Sequence, residues 1–159
     1  YFRLPKRGEP LINDKSSEFS FGKANFIETG KDLNILFTGN ASDIAIEVYE
    51  ALMANGLREI NLVSMHTLKP FDKNGINKII QGGKPIFTIE EHNIIGGLGS
   101  IVSEYIAESS QNPIFKRFSL PDEFSHFVGS QKHLREKFGL TSKKIVKDIK
   151  KLIWNPSIK

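Results

Sequence analysis

The segment IEEHNIIGGLGS at residues 89–100 combines side chains that do chemistry with a turn that can bind an anion. Glu90, Glu91 and His92 are residue types used in general acid–base catalysis. The glycines that follow are typical of a loop between a strand and a helix, where backbone N–H groups can hold a phosphate. The segment therefore has three possible roles: a catalytic centre, a phosphate cradle, or a turn that the fold requires.

The direction of the side chains argues against a catalytic cluster. Successive residues of an extended segment point to opposite sides, so Glu90 and His92 share one side and Glu91 faces the other. The sequence also lacks zinc-ligand spacing, a nucleophile elbow and a P-loop. We therefore assign no catalytic residue and no metal ligand to this chain. Glu91 and His92 are predicted to line a subunit interface or the mouth of a substrate site.

The spacing of the glycines argues against a phosphate cradle. Gly97-Leu-Gly99 matches part of the dinucleotide fingerprint G-x-G-x-x-G, and an acidic residue, Asp122 or Glu123, follows at a suitable distance. However, Val102 stands where the third small residue belongs, and the glycines come several residues after the strand, in the third strand–helix unit rather than the first. We favour a structural reading, in which the glycines allow a tight turn and a close approach of helix to sheet. No cofactor-binding residue is predicted.

The segment HTLKPFD offers a second candidate, because Lys69 could contact a phosphate or a substrate. Pro70 biases Lys69 toward extended backbone, and Asp72 is a typical residue at the start of a helix. We favour the structural interpretation of this loop.

Short apolar runs alternate with amphipathic segments along the chain, a pattern typical of buried strands and helices. The predicted strands are 24–28, 34–39, 59–65, 85–90 and 114–120. Helices are predicted from about Lys73 to Ile80 and at 98–109, and three more follow the other predicted caps. The predicted helix caps are Ser42 or Asp43, Asp72, Ser130, and Thr141 or Ser142. Repeated strand–helix units predict an α/β fold with three layers, α/β/α, and a mostly parallel sheet with one antiparallel edge strand at 24–28.

Composition narrows the classes of function. The 159 residues include no cysteine, which excludes disulfides, cysteine-ligated zinc and iron–sulfur clusters and favours a cytoplasmic protein. No apolar run approaches the roughly 20 residues of a membrane span, so no membrane association is predicted. Residues 132–159 hold nine basic and two acidic residues, whereas the rest of the chain is slightly acidic. Because the basic excess is confined to one segment, we predict a lysine-rich solvated helix and no nucleic-acid partner.

The first ten residues, YFRLPKRGEP, begin without methionine and read as the end of a strand followed by a linker. We predict that residues 1–17 are the end of a preceding domain and its linker, and that residues 18–159 form the domain proper. Arg3 carries a guanidinium, the natural bidentate partner of a phosphate or carboxylate.

Five segments in this order make the chain resemble the C-terminal domain of the transketolase family: RLPKRGEP, FGKAN…ETGKDLNILFTG, HTLKPFD, IEEHNIIGGLGSIVSEYIAE and FGLTSKKIV. The resemblance covers nearly the whole chain, and the short transketolase-like C-terminal sections are the most similar branch. Deoxyxylulose-phosphate synthase and the beta subunits of 2-oxo acid dehydrogenases are related branches, and they remain alternatives, as does a non-catalytic binding or regulatory module.

The resemblance implies a division of labour. Thiamine diphosphate and Mg²⁺ would be held by a diphosphate-binding and a pyrimidine-binding domain of the intact enzyme, and no cofactor would be held by this chain. The chain would be inactive in isolation and would contribute to a homodimer and to the substrate entrance. Arg3 matches the position that supplies an arginine to the substrate phosphate in this family. His66 departs from the family pattern, since relatives often carry arginine at this position.

Overall fold

The computed structural model describes residue 1 and residues 19–154. The described part contains five strands and five α-helices, which alternate from β2 to α4, and a short 3-10 turn precedes the first helix. The strands are β1 (Asn25–Glu28), β2 (Leu33–Thr38), β3 (Ile60–Ser64), β4 (Ile86–Asn93) and β5 (Phe115–Leu120). The helices are α1 (Ser42–Ala54), α2 (Lys73–Gln81), α3 (Leu98–Ala107), α4 (Gln131–Phe138) and α5 (Ser142–Trp154).

The strands form one sheet in the order β1-β3-β2-β4-β5. β2 pairs in parallel with β3 and with β4, and β4 pairs in parallel with β5. β1 is antiparallel to β3 and lies at one edge of the sheet. The predicted α/β class, with a mostly parallel sheet and one antiparallel edge strand, is confirmed.

Two hydrophobic clusters lie on opposite faces of the sheet, because successive strand residues point to opposite sides. Ile35 and Phe37 of β2 belong to the cluster that α1 and α5 cover, whereas Leu36 belongs to the cluster that α2 and α3 cover. All three side chains are almost fully buried. The two clusters make the three layers that the sequence predicts.

The helix starts are only partly as predicted. Asp72 caps α2 by accepting the Gly75 N–H, and Ser130 caps α4 by accepting the His133 N–H. The prediction that Ser42 or Asp43 caps α1 is wrong, because Ala41 occupies the N-cap position and makes no side-chain cap hydrogen bond. The 3-10 turn Gly39–Ala41 runs directly into α1, where Oδ1 of Asp43 accepts the Ile44 N–H at 2.7 Å and leaves Oδ2 for a partner elsewhere.

No helix in the described part of the chain has the length and apolar character needed to cross a membrane.

Candidate functional site at the carboxyl edge of the sheet

Residues 90–92, which carry the two glutamates and the histidine, lie at the carboxyl ends of the adjacent parallel strands β2 and β4. β4 continues to Asn93, three residues beyond its predicted end, so Glu90, Glu91 and His92 belong to the strand itself. β2 pairs with β4 up to Thr38 opposite Glu90. Ligands of open α/β sheets bind beyond this edge, so the three residues lie where a binding site of such a sheet is expected.

Glu90 is 1% exposed and points at the start of α3. Its two carboxylate oxygens accept the N–H groups of Leu98, at 2.7 Å, and of Gly99, at 2.8 Å. The first N–H groups of a helix have no partner within the helix and carry a partial positive charge. The carboxylate of Glu90 supplies an anion to that helix end from within the chain.

The glycines of the loop make room for this contact. A Cβ atom at Gly97 would lie 2.0 Å from Oε2 of Glu90. A Cβ atom at Gly99 would lie 2.7 Å from Cδ of Arg117 and 2.9 Å from Oγ1 of Thr88. The structural interpretation of the glycines thus has a specific cause, which is the close packing of Glu90 and Arg117 against the start of α3.

Glu91 points away from Glu90, toward α4. Its carboxylate accepts hydrogen bonds from Nε of Arg135, at 2.6 Å, and from Nε2 of Gln131, at 2.8 and 3.1 Å. The side chain is 17% exposed, so most of it is withdrawn from solvent. Glu91 is therefore engaged in an ion pair within the chain.

Arg135, the partner of Glu91, is the residue at this edge of the sheet that sequence reasoning missed. Its guanidinium, on a residue only 8% exposed, also donates to Oδ2 of Asp43 and to the Asn40 carbonyl oxygen, each at 2.6 Å. Burial by itself lowers the pKa of Arg135, but the hydrogen bonds and charges of Asp43 and Glu91 raise it above its ordinary value. No local pattern signals this role, because its partners lie 44 to 95 residues away in sequence.

His92 is exposed, and its Nδ1 lies 2.8 Å from the Asn93 carbonyl oxygen. No hydrogen bond joins it to Glu90 or Glu91, so the structure does not bring the three predicted residues together as an acid–base set. Within the described residues, no group of three acidic or histidine side chains could hold a metal ion.

The neighbouring loop, residues 65–72, contacts residues 19–24, which precede β1. Asp72 accepts the Ala24 N–H at 3.0 Å and forms an ion pair of 3.6 Å with Lys23. The His66 ring lies 4.3 Å from the Phe19 ring, centroid to centroid, and burial lowers the pKa of His66. These contacts are structural, in agreement with the reading of HTLKPFD as a helix-starting loop. Arg3 lies outside the described residues.

Comparison with known proteins agrees with the resemblance in the sequence. The family model described as "Transketolase, C-terminal domain" matches residues 22–145. A 6-deoxy-6-sulfo-D-fructose transketolase subunit of Clostridium sp. (strain MSTE9) is 35% identical over 147 residues, which are 92% of this chain and 45% of that protein. A putative transketolase C-terminal section of Methanocaldococcus jannaschii is 35% identical over 152 residues, 94% of this chain and 46% of that protein.

Two further relatives extend the comparison. A 1-deoxy-D-xylulose-5-phosphate synthase of Clostridium tetani is 33% identical over 152 residues, 95% of this chain but 24% of that enzyme. A solved structure described as a split gene transketolase, an inactive beta4 tetramer, has a TM-score of 0.81 at 30% identity and covers 92% of this chain and 47% of its own. The chain thus spans just under half the length of the first two relatives.

Proposed function

Because this chain belongs to the transketolase C-terminal domain family, we propose that it is the C-terminal domain of a thiamine-diphosphate-dependent, transketolase-like transferase. The intact enzyme transfers a two-carbon ketol unit between sugar phosphates. The chain is inactive in isolation and contributes to assembly and to the substrate entrance. The family match over residues 22–145 is the observation that carries this proposal.

The relatives favour the transketolase branch and a divided enzyme. Those described as a transketolase subunit and a transketolase C-terminal section are about twice the length of this chain, since it covers 45% and 46% of them. The chain covers only 24% of the related synthase. In our proposal, a pyrimidine-binding domain precedes this domain, and a diphosphate-binding domain belongs to the same enzyme.

The start of α3 does not fit the diphosphate of the cofactor. The N–H groups of Leu98 and Gly99, which a phosphate would need at this helix start, are already taken by Glu90. The space that an incoming group would need beside Gly97 is filled by the same carboxylate. This supports the division of labour in which thiamine diphosphate and Mg²⁺ are held elsewhere in the intact enzyme.

Three residues carry the proposed contribution of this chain to substrate and assembly. Arg3 is proposed to bind the substrate phosphate as a bidentate, charge-assisted partner. His92, which is exposed, and Glu91, which Arg135 holds in place, are proposed to lie at the interface or the substrate mouth. The solved relative that forms a tetramer of beta chains supports self-assembly, and we propose a homodimer here. A cytoplasmic location and the absence of nucleic-acid and membrane partners complete the proposal.

Two other functions remain in competition. The first is the C-terminal domain of a deoxyxylulose-phosphate synthase or of a 2-oxo acid dehydrogenase beta subunit, which the 33% identity to such a synthase favours. The second is a binding or regulatory module that kept the fold and lost the enzyme.

One assay separates these functions. The natural polypeptide containing this chain is purified with the subunit or domain that binds the diphosphate, and it is supplied with thiamine diphosphate and Mg²⁺. Ketol transfer from a ketose phosphate to an aldose phosphate is then compared with CO₂ release from a 2-oxo acid.

We expect ketol transfer without CO₂ release. Release of CO₂ from a 2-oxo acid would assign the chain to the first alternative. A stable complex with neither activity would assign it to the second.

A further inference from the structure

The segment that connects β5 to α5 lies on the surface of the domain with very little of it buried. We call residues 121–138, which include α4, the strap. All residues from 122 to 133 are exposed, and within the strap Arg135 is the one buried side chain. A segment with so few buried contacts is the kind that opens locally while the rest of a domain stays folded.

The apolar side chains of the strap do not anchor it to the sheet. Phe124 and Val128 are 90% and 98% exposed. Phe127 packs on residues of the strap itself: its ring centroid lies 6.0 Å from that of Phe138 and 5.5 Å from Nζ of Lys137. Apolar packing therefore holds the strap together internally rather than to the body of the domain.

Polar contacts supply the attachment instead. Arg135 donates to Glu91 at the end of β4, to Asp43 in the first turn of α1, and to the Asn40 carbonyl in the 3-10 turn, each at 2.6 Å. Gln131 adds an exposed hydrogen bond to Glu91, and Asn93 adds one to Asp122, at 2.5 Å. Arg135 is thus the single buried side chain that ties the strap to the ends of two adjacent strands.

Beyond the strap, the chain is anchored by apolar burial. Leu140 is 2% exposed, and Ile145 and Ile149 of α5 are buried in the cluster under α1. Loss of the Arg135 contacts would therefore free the strap without detaching α5.

We propose that the strap is a movable cover over the carboxyl edge of the sheet and that Arg135 is its latch. When the guanidinium leaves, the strap moves away as a unit. The Glu91 carboxylate, 17% exposed in the closed state, then becomes solvent-exposed at the edge where ligands of such sheets bind, and the Asp43 carboxylate loses its ion pair. The latch can open because the attraction within a buried ion pair is largely offset by the cost of removing both charges from water. A closely packed apolar anchor has no such offset.

Hydrogen exchange of the 159-residue chain tests the latch. Arg135→Met removes the guanidinium while keeping an unbranched side chain, and Arg135→Lys keeps the charge but not the three-way geometry. Arg58→Met is the matched control, since Arg58 is exposed. We expect both Arg135 variants to speed exchange of the α4 amides by about tenfold or more, with exchange in β2 and β4 unchanged and the control like wild type.

Two results would overturn the proposal. Unchanged exchange in α4 would show that the strap is held by other contacts. Equal acceleration of exchange in α4, β2 and β4 would show that Arg135 supports the whole fold. If the Arg135 variants do not fold, Glu91→Gln is tested as a milder change, and the proposal is overturned if this variant also fails to speed exchange in α4 alone.

Chemical rescue separates a latch from simple charge neutralisation. Guanidinium chloride at about 10 mM, far below the molar concentrations that unfold proteins, is added to Arg135→Ala with sodium chloride as the control salt. We expect guanidinium to raise the melting temperature of the variant by neutralising Glu91 and Asp43. Hydrogen exchange in α4 should stay fast, because the added guanidinium is not covalently attached to α4. Restored protection of α4 would contradict the latch, as would a melting temperature that guanidinium and sodium raise equally.

Discussion

Glu90 occupies the space that Gly97 leaves open: a Cβ atom at Gly97 would lie 2.0 Å from Oε2 of the Glu90 carboxylate. The glycine and the glutamate are therefore two parts of one arrangement, in which a buried carboxylate closes the start of α3. Glycine-rich loops in this position often hold a phosphate from outside the protein. Here the anion is a side chain of the preceding strand.

Glu90→Ala should destabilise the domain by about 2–4 kcal/mol, because two charge-assisted hydrogen bonds of about 1.5–3 kcal/mol each are lost and partly replaced by water. Glu90→Gln, which keeps one acceptor oxygen, should lose less. Urea unfolding measures both, and Glu104→Gln on the exposed face of α3 is the control. Millimolar phosphate should stabilise the alanine variant more than wild type, and equal stability of all variants would show that Glu90 does not cap the helix.

Gly97→Ala should cost about 3 kcal/mol of stability, since the added methyl group must displace a buried carboxylate. Gly99→Ala should also destabilise, through Arg117 and Thr88. Gly56→Ala is the control, because its positive φ of 97° is strained but its surroundings are open, which predicts a loss of about 1 kcal/mol. A well-folded, fully stable Gly97 variant that lacks activity in the intact enzyme would indicate a direct role of the loop in the reaction.

Asp72→Asn should lower stability at neutral pH by about 1–3 kcal/mol. Burial alone raises the pKa of Asp72, but the N–H groups of Ala24 and Gly75 and the Lys23 ammonium lower it below its ordinary value of 3.8. A lowered pKa contributes stability that is present above 3.8 and is lost as the pH falls through the folded-state value.

The difference in the free energy of unfolding between wild type and Asp72→Asn should therefore decrease as the pH falls below 3.8. Urea unfolding across this pH range measures this difference, with Asp148→Asn as the control variant. A difference in unfolding free energy that is constant with pH would mean that the charge of Asp72 does not stabilise the fold.

Arg3→Ala in the intact enzyme should raise KM for phosphorylated substrates by about tenfold or more, since a lost charge-assisted contact costs ~1.5–3 kcal/mol. Steady-state kinetics with phosphorylated and unphosphorylated substrates measure the effect, which should vanish for the latter. Arg58→Ala serves as the control. An unchanged KM for the phosphorylated substrate would leave Arg3 without a substrate role.

Titration calorimetry of the isolated chain with thiamine diphosphate and Mg²⁺ should show no binding, because Glu90 already fills the start of α3. Pyrophosphate with Mg²⁺ serves as a probe of the anion alone. Micromolar affinity for the cofactor would overturn the proposed division of labour.

The alternation of strands and helices could be predicted because it depends on short-range patterns. Buried strands need continuous apolar runs, and helices need apolar residues at helical spacing, so both periods are visible in a single sequence. The edge strand β1 and the caps Asp72 and Ser130 followed from the same local rules and are present. The predicted cap of α1 did not, because the 3-10 turn ends at Ala41, and this residue occupies the N-cap position.

The sequence by itself thus determined the fold class, the family and the location of the segment that could do chemistry. Only the tertiary structure decided what that segment does: Glu90 turns inward to α3, and Glu91 meets Arg135 from α4. The physical reason is distance along the chain. Helix and strand periods are set by neighbours a few residues apart, whereas the partners of Arg135 lie 44 to 95 residues away and meet only when two parallel strands end side by side.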